Sequence, residues 1–168
     1  MKIYAHRGAS HDYPEMTMAA YENAVKQGAD GFECDLRLTK DGIAVLWHDA
    51  DLKRRANNAA VVHESTYAQL VAIYPQIVTL DQFIDFGITE KKSLLLETKH
   101  PVPSRTEIEN HVVQKLHKEA KRIEKAGIDI TVMSFSWFAI EKIKKSIGWQ
   151  PTHTLDSIID SVATSFKS

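Results

Sequence analysis

Short runs of apolar residues alternate along this chain with longer stretches in which apolar residues return every third or fourth position. Lys2 to Ala5 predicts a short strand ending at His6. From Thr17 to Gln27, Met18, Tyr21 and Val25 fall at helical spacing, and Gly28 supplies the stop. Gly31 to Leu38 predicts a strand, Lys40-Asp41-Gly42 a turn, and Ile43 to Trp47 a returning strand. Ser65 to Tyr74 predicts a helix that ends before Pro75, and Leu80 to Phe86 a short helix before Gly87. Ser93 to Glu97 carries three consecutive leucines, which suits a strand buried on both faces. Thr106 and Glu109 have the spacing of a capping box, and Ile108, Val112, Leu116, Ala120 and Ile123 form one apolar stripe up to Gly127. Asp129 to Phe135 predicts a strand and Trp137 to Ile147 a helix. Thr152 to Leu155 predicts a further strand, followed by a final helix from about Ser157.

Strand–helix alternation of this kind predicts an α/β fold with a parallel sheet, whose closed form is a (β/α) barrel. A full barrel takes eight strands and roughly 250 residues, whereas about five barrel strands are legible here beside the hairpin strand. The expectation is therefore an incomplete TIM-like barrel forming one domain over residues 1–168. Five strands cannot close such a barrel, so the strands at Ile3 and Leu155 would keep unpaired edges. Three outcomes follow from open edges: a homodimer that pairs them, a C-terminal helix that covers the opening, or a chain of low stability.

Composition narrows the classes. A 168-residue chain with 43% hydrophobic content can bury one core. With 21 Lys+Arg against 22 Asp+Glu and a net charge of −1, the chain shows no nucleic-acid footprint, so no nucleic-acid partner is expected. No apolar run approaches the ~20 residues of a membrane span, and the N-terminus lacks a signal peptide's apolar region. Cys34 is the single cysteine and has no internal disulfide partner, which fits a cytoplasmic setting.

The candidate chemistry sits at strand ends. Residues two apart on a strand share a face, so Glu33 and Asp35 point together while Cys34 faces away as a core thiol. Two carboxylates on one face repel unless a cation sits between them, and an all-oxygen set favours Mg²⁺ or Ca²⁺ over zinc. Glu97 and Lys99 repeat the same-face spacing, adding a further ligand and an ammonium that faces phosphate. Folding the hairpin about Asp41-Gly42 brings His48 to the carboxylates. Three carboxylates, the imidazoles of His6 and His48, and Lys99 are what metal-assisted attack on a phosphate diester needs. Arg7 suits either a structural ion pair or bidentate phosphate contact. The histidines at 11, 63, 100, 111, 117 and 153 have no partner at useful spacing. Lys53-Arg54-Arg55 is expected in a solvated loop near the rim, and Trp137 and Phe138 are expected to pack.

His6-Arg7-Gly8, Pro14-Glu15-Met16-Thr17, Glu33-Cys34-Asp35, Thr39-Lys40-Asp41-Gly42, His48-Asp49 and Glu97-Thr98-Lys99 occur in that order between about Ile3 and Ser136. This arrangement resembles the glycerophosphodiester phosphodiesterase family. Three features depart from its pattern. Met16 stands where the family has asparagine, Leu52 to Val62 lacks the usual Thr and Gly residues, and strands six to eight are missing. The resemblance implies a barrel of the phospholipase C-like phosphodiesterase type that hydrolyses small glycerophosphodiesters to sn-glycerol 3-phosphate and an alcohol, in lipid and glycerol metabolism. The expected roles are proton transfer by His6 and His48, phosphate contact by Arg7 and Lys99, and cation ligation by Glu33, Asp35 and Glu97. Either histidine suits either proton-transfer role, and the nucleophile is water or a substrate hydroxyl. A truncated non-enzymatic remnant that binds metal or phosphate without turnover is the alternative. A related phospholipase D-type toxin shares the paired histidines, but such proteins are secreted and disulfide-bonded, which one cysteine argues against.

Overall fold

In a computed structural model of the chain, which describes residues 1–103 and 106–148, four parallel strands and one antiparallel strand form a single sheet. Strand β1 (Tyr4–His6) lies beside β2 (Gly31–Leu38), which lies beside β4 (Ser93–Thr98) and then β5 (Ile130–Met133), all parallel. Strand β3 (Ala44–Leu46) returns antiparallel on β2, with Leu36 opposite Leu46. The order β1-β2-β4-β5 leaves the sheet open among the described residues, so the α/β fold of incomplete barrel type is as the sequence predicts. The strand expected at Thr152 to Leu155 and the helix after it lie outside the described residues.

The hairpin forms where the turn residues dictate. Asp41 accepts hydrogen bonds from Thr39 Oγ1 at 2.7 Å and from the Tyr67 amide at 2.9 Å, while Gly42 takes φ +78°. Strand β2 is the centre of the sheet, and its alternating side chains divide the molecule. Phe32, Cys34 and Leu36 are fully buried in the main core, together with Tyr21 of helix α1 (Met18–Lys26), Phe83 and Ile84 of α4 (Leu80–Glu90), and Val112 of α5 (Glu107–Ala126). A second small core under the β3 connection gathers Val45, Trp47, Leu52, Val62, Leu70 and Ile77. It includes α2 (Lys53–Ala56), a 3-10 turn at Val62–Glu64, and α3 (Tyr67–Ile73).

Several expectations change. Helix α4 runs through Gly87 because Gly87 marks a close approach: a Cβ there would stand 2.8 Å from Leu94 Cδ2. The helix ends instead at Lys91, in the left-handed region at φ 53°. Capping boxes form at Thr66/Gln69 and Thr79/Gln82, whereas Thr106 makes no side-chain cap, because Glu109 is drawn inward to His100. The α5 stripe holds at Ile108 and Val112, but Ala120 is exposed and Glu119 takes the inner position, paired with Lys115 and Arg122. Helix α6 (Trp137–Ile147) buries Ala139 and Ile143 and leaves Trp137 and Phe138 exposed rather than packed.

One position ties β1 to α1. Gly8 has φ +80°, and a Cβ there would lie 2.8 Å from the Ala20 carbonyl carbon and Cβ. The Ala9 amide donates to the Ala20 carbonyl at 2.9 Å, so the loop lies flat on the helix. Gly8→Ala should therefore cost at least ~1–2 kcal/mol from the backbone conformation alone. Urea unfolding checks this, and an unchanged midpoint would show that the loop can move away from α1.

Candidate active site

The site lies at the C-terminal ends of β1 and β4 and midway along β2, where Glu33 and Asp35 stand level with them. Register sets His6 opposite Glu33, and Asp35 opposite Glu97. Glu33, Asp35 and Glu97 therefore converge: one ligand oxygen from each lies within 4.8 Å of the others, and all three residues are buried. Leu95 lies opposite Glu33 in the ladder.

Cationic groups answer this buried negative charge. The Arg7 amide donates to Glu33 Oε2 at 3.1 Å, and Arg7 Nε lies 2.9 Å from Asp35 Oδ2. Lys99 Nζ donates to Glu97 Oε1 at 2.6 Å and lies 3.1 Å from Asp35 Oδ1. The approaches to Asp35 are ion-pair distances without hydrogen-bond alignment. Both Asp35 carboxylate oxygens, like Glu33 Oε1, are buried and accept no hydrogen bond. Burial, reinforced by the Asp35 charge, pushes the Glu33 carboxyl up to about 7 against the opposing Arg7 amide. Burial alone would lower the Lys99 ammonium, but Glu97 and Asp35 outweigh it and raise it. Buried carboxylate oxygens without donors are ready ligands for a hard cation, so the residues present fit one.

His6 stands at the open edge with its Nε2 3.7 Å from Glu33 Oε2 and its side chain 69% exposed. His48 follows β3, and the Trp47 amide donates to the Asp35 carbonyl at 2.9 Å, so the hairpin brings the backbone next to His48 alongside that of Asp35. Its ring does not touch the acidic triad. Nδ1 instead pairs with Asp49 Oδ1 at 2.8 Å, and Arg37 Nε holds the His48 carbonyl at 2.9 Å.

The loop between β1 and α1 contributes what the sequence left unassigned. Arg7 and Met16 both have positive φ, 60° and 56°, a conformation rare for such residues and frequent at functional sites. Strand β1 ends at His6, so the Asp35 amide has no strand partner there. The Met16 thioether supplies a weak acceptor at 3.4 Å. Glu15 collects three arginines: Arg7 at 3.5 Å, Arg54 at 2.5 Å and Arg55 at 3.5 Å, with Arg55 also donating to the Glu15 carbonyl. The Lys53-Arg54-Arg55 segment is thus a short helix bonded to the site wall, not a solvated loop. The acid beside Pro14 and the Lys53-Arg54-Arg55 run were the available signals, but neither names a partner. His100 also has one, Glu109 Oε1 at 2.7 Å, across the β4–α5 connection.

The model of the Glycerophosphoryl diester phosphodiesterase family matches residues 6–165. A curated protein of Mycobacterium tuberculosis, "Probable glycerophosphodiester phosphodiesterase 1", is 36% identical over 171 residues, covering 89% of this chain and 62% of the relative. The crystal structure of glycerophosphodiester phosphodiesterase from Thermotoga maritima superposes with TM-score 0.73 at 28% identity, over 86% of this chain and 59% of that one. An Oleispira antarctica phosphodiesterase, solved in complex with the product sn-glycerol-3-phosphate, superposes with TM-score 0.67 at 26% identity, over 86% of this chain and 62% of that one. The chain thus spans about 62% of the length of the curated relative it matches. Among the described residues no helix is long and apolar enough to cross a membrane.

The Glu33 carboxyl gives a signed prediction. Its folded value, about 7, lies above the ordinary 4.5, so the folded state holds the proton more tightly. In chelator the stabilising contribution is complete below about 4.5 and is lost as pH rises through about 7. Added Mg²⁺ or Ca²⁺ should raise Tm at pH 8 and less so at pH 5.5, because the cation competes with that proton. Differential scanning fluorimetry reads the effect, and an equal shift at both pH values would show that Glu33 is not a ligand.

Proposed function

The chain belongs to the glycerophosphoryl diester phosphodiesterase family, and we propose that it hydrolyses glycerophosphodiesters to sn-glycerol 3-phosphate and an alcohol, using a divalent cation held by Glu33, Asp35 and Glu97. The observation that carries this reading is the convergence of three buried carboxylates, three of whose oxygens accept no hydrogen bond, beside Arg7, Lys99 and the exposed His6 imidazole. The product bound to the Oleispira antarctica relative supports the substrate class.

Each group has a distinct task. Bound there, Mg²⁺ or Ca²⁺ would draw charge from the non-bridging phosphate oxygens. Lys99 donates to Glu97 and approaches Asp35, which leaves one of its three N–H groups for a phosphate oxygen. Arg7 engages Asp35 through Nε and Glu15 through Nη1, and its Nη2 is free for the same phosphate. His6 reaches the open side of the triad and can exchange a proton with solvent or substrate. His48 holds Asp49 through Nδ1, so its Nε2 is the atom placed for proton transfer. One histidine takes a proton from the attacking oxygen as the other gives one to the departing alkoxide.

Release of choline from glycerophosphocholine tests the proposal. EDTA should abolish turnover and Mg²⁺ or Ca²⁺ restore it. His6→Ala and His48→Ala should each lower kcat by roughly 10²–10⁴-fold with the fold intact. Full turnover in chelator, or a near-normal rate after either histidine change, would sink the mechanism. Cation binding without any turnover would make this a binding protein.

A further inference from the structure

One side chain without a role in the chemistry above joins the two halves of the site. Arg54 lies on α2, and its guanidinium bridges two carboxylates: Nε donates to Asp49 Oδ2 at 2.6 Å and Nη2 to Glu15 Oε1 at 2.5 Å. The other Asp49 oxygen takes His48 Nδ1 at 2.8 Å, and the other Glu15 oxygen lies 3.5 Å from Arg7 Nη1. Since Arg7 Nε lies 2.9 Å from Asp35, contacts run without a break from His48 through Asp49, Arg54, Glu15 and Arg7 to Asp35.

We propose that Arg54 is a positioning residue that fixes the tautomer and ring orientation of His48 by locking Asp49 against Glu15. The proposal rests on the phosphodiesterase reading of the site. Burial does not hold these groups, because the side chains of His48, Asp49 and Arg54 are 35%, 26% and 49% exposed. An Asp49 carboxylate released to solvent can rotate away, and the imidazole then loses the partner that keeps its proton on Nδ1. Among the described residues no other cation hydrogen-bonds Asp49: Arg37 lies near enough to feel its charge but donates to the His48 backbone carbonyl, and Lys53 pairs with Asp51 at 3.3 Å. Glu15 itself is also gripped by Arg55, whose guanidinium packs over Trp47 and Tyr74 at 5.4 Å and 5.3 Å. Loss of Arg54 therefore falls on Asp49 and His48, while Arg7 keeps its place. The planar fork of arginine serves both carboxylates at once, which a lysine ammonium does less well.

The test uses the full chain, labelled with ¹⁵N. Long-range ¹⁵N–¹H correlation of the His48 ring at a pH where it is neutral should show the Nδ1–H tautomer. In Arg54→Met the ring should pass to a mixture with Nε2–H, and kcat should fall about 10–100-fold, the usual effect of losing an outer partner of a functional imidazole. KM should stay within about threefold, since no substrate contact is removed. Arg54→Lys should recover part of both signals, and it gives the same readout if Arg54→Met does not fold. An unchanged tautomer in a folded Arg54 variant, or a rise in KM at constant kcat, would overturn the proposal. If the wild-type chain shows no hydrolysis, the tautomer still decides the positioning role while the catalytic reading fails.

Discussion

Two carboxylates side by side on one face of a buried strand are the constraint around which this molecule is arranged. Glu33 is 4% exposed and Asp35 not at all. Like charges so close, removed from water, raise each other's proton affinity unless something positive intervenes. The chain intervenes with the Arg7 amide and guanidinium on one side and Lys99 on the other. These partners do not use up the carboxylates, since three buried oxygens remain without hydrogen bonds. The site is thus part-neutralised, and its three carboxylates remain close enough to share a cation. Removing one partner of a buried ion pair costs roughly 3–5 kcal/mol, so stability and receptivity depend on the same few side chains.

The surrounding scaffold keeps that strand in place and opens its C-terminal end. Strand β2 pairs with β4 along six residues, but with β1 only from Gly31 to Glu33. Beyond that point its edge is completed by Met16 and then by β3. The short partner is what creates the gap through which loop residues reach the carboxylates. The segment from β3 to α3 has its own small core, and on its rim it carries His48, Asp49, Arg54 and Arg55. Family membership and the superpositions on solved relatives agree with this parallel-sheet construction.

What could be read from the amino-acid order was much of what depends on short spacing. The alternation in Gly31 to Leu38, the turn at Asp41-Gly42 and the leucine run before Glu97 placed the strands, because periodicity and turn chemistry act over a few residues. The same-face rule brought Glu33 to Asp35 and Glu97 to Lys99, and the hairpin brought His48 to their neighbourhood. The open sheet among the described residues accords with the count of strands. Gly87 misled as a helix stop because a glycine's lack of Cβ serves a neighbour, here Leu94, as well as a chain reversal. Thr106 and Glu109 misled as a cap because Glu109 found a stronger partner in His100.

Only the tertiary structure decided which charges meet. Arg54 and Glu15 are 39 residues apart, and Arg55 bonds the Glu15 carbonyl 40 residues away. Nothing in a run of three cations says whether it will be solvated or fastened to a wall. Side-chain partnership at that range is set by how the loops pack on the sheet, and each long charged side chain has many candidates until packing removes most of them. The sequence by itself therefore determined the described strands and which side chains share a face. The fold alone determined their orientation, because tautomer, ion-pair partner and unused lone pair depend on distances that spacing along the chain does not carry.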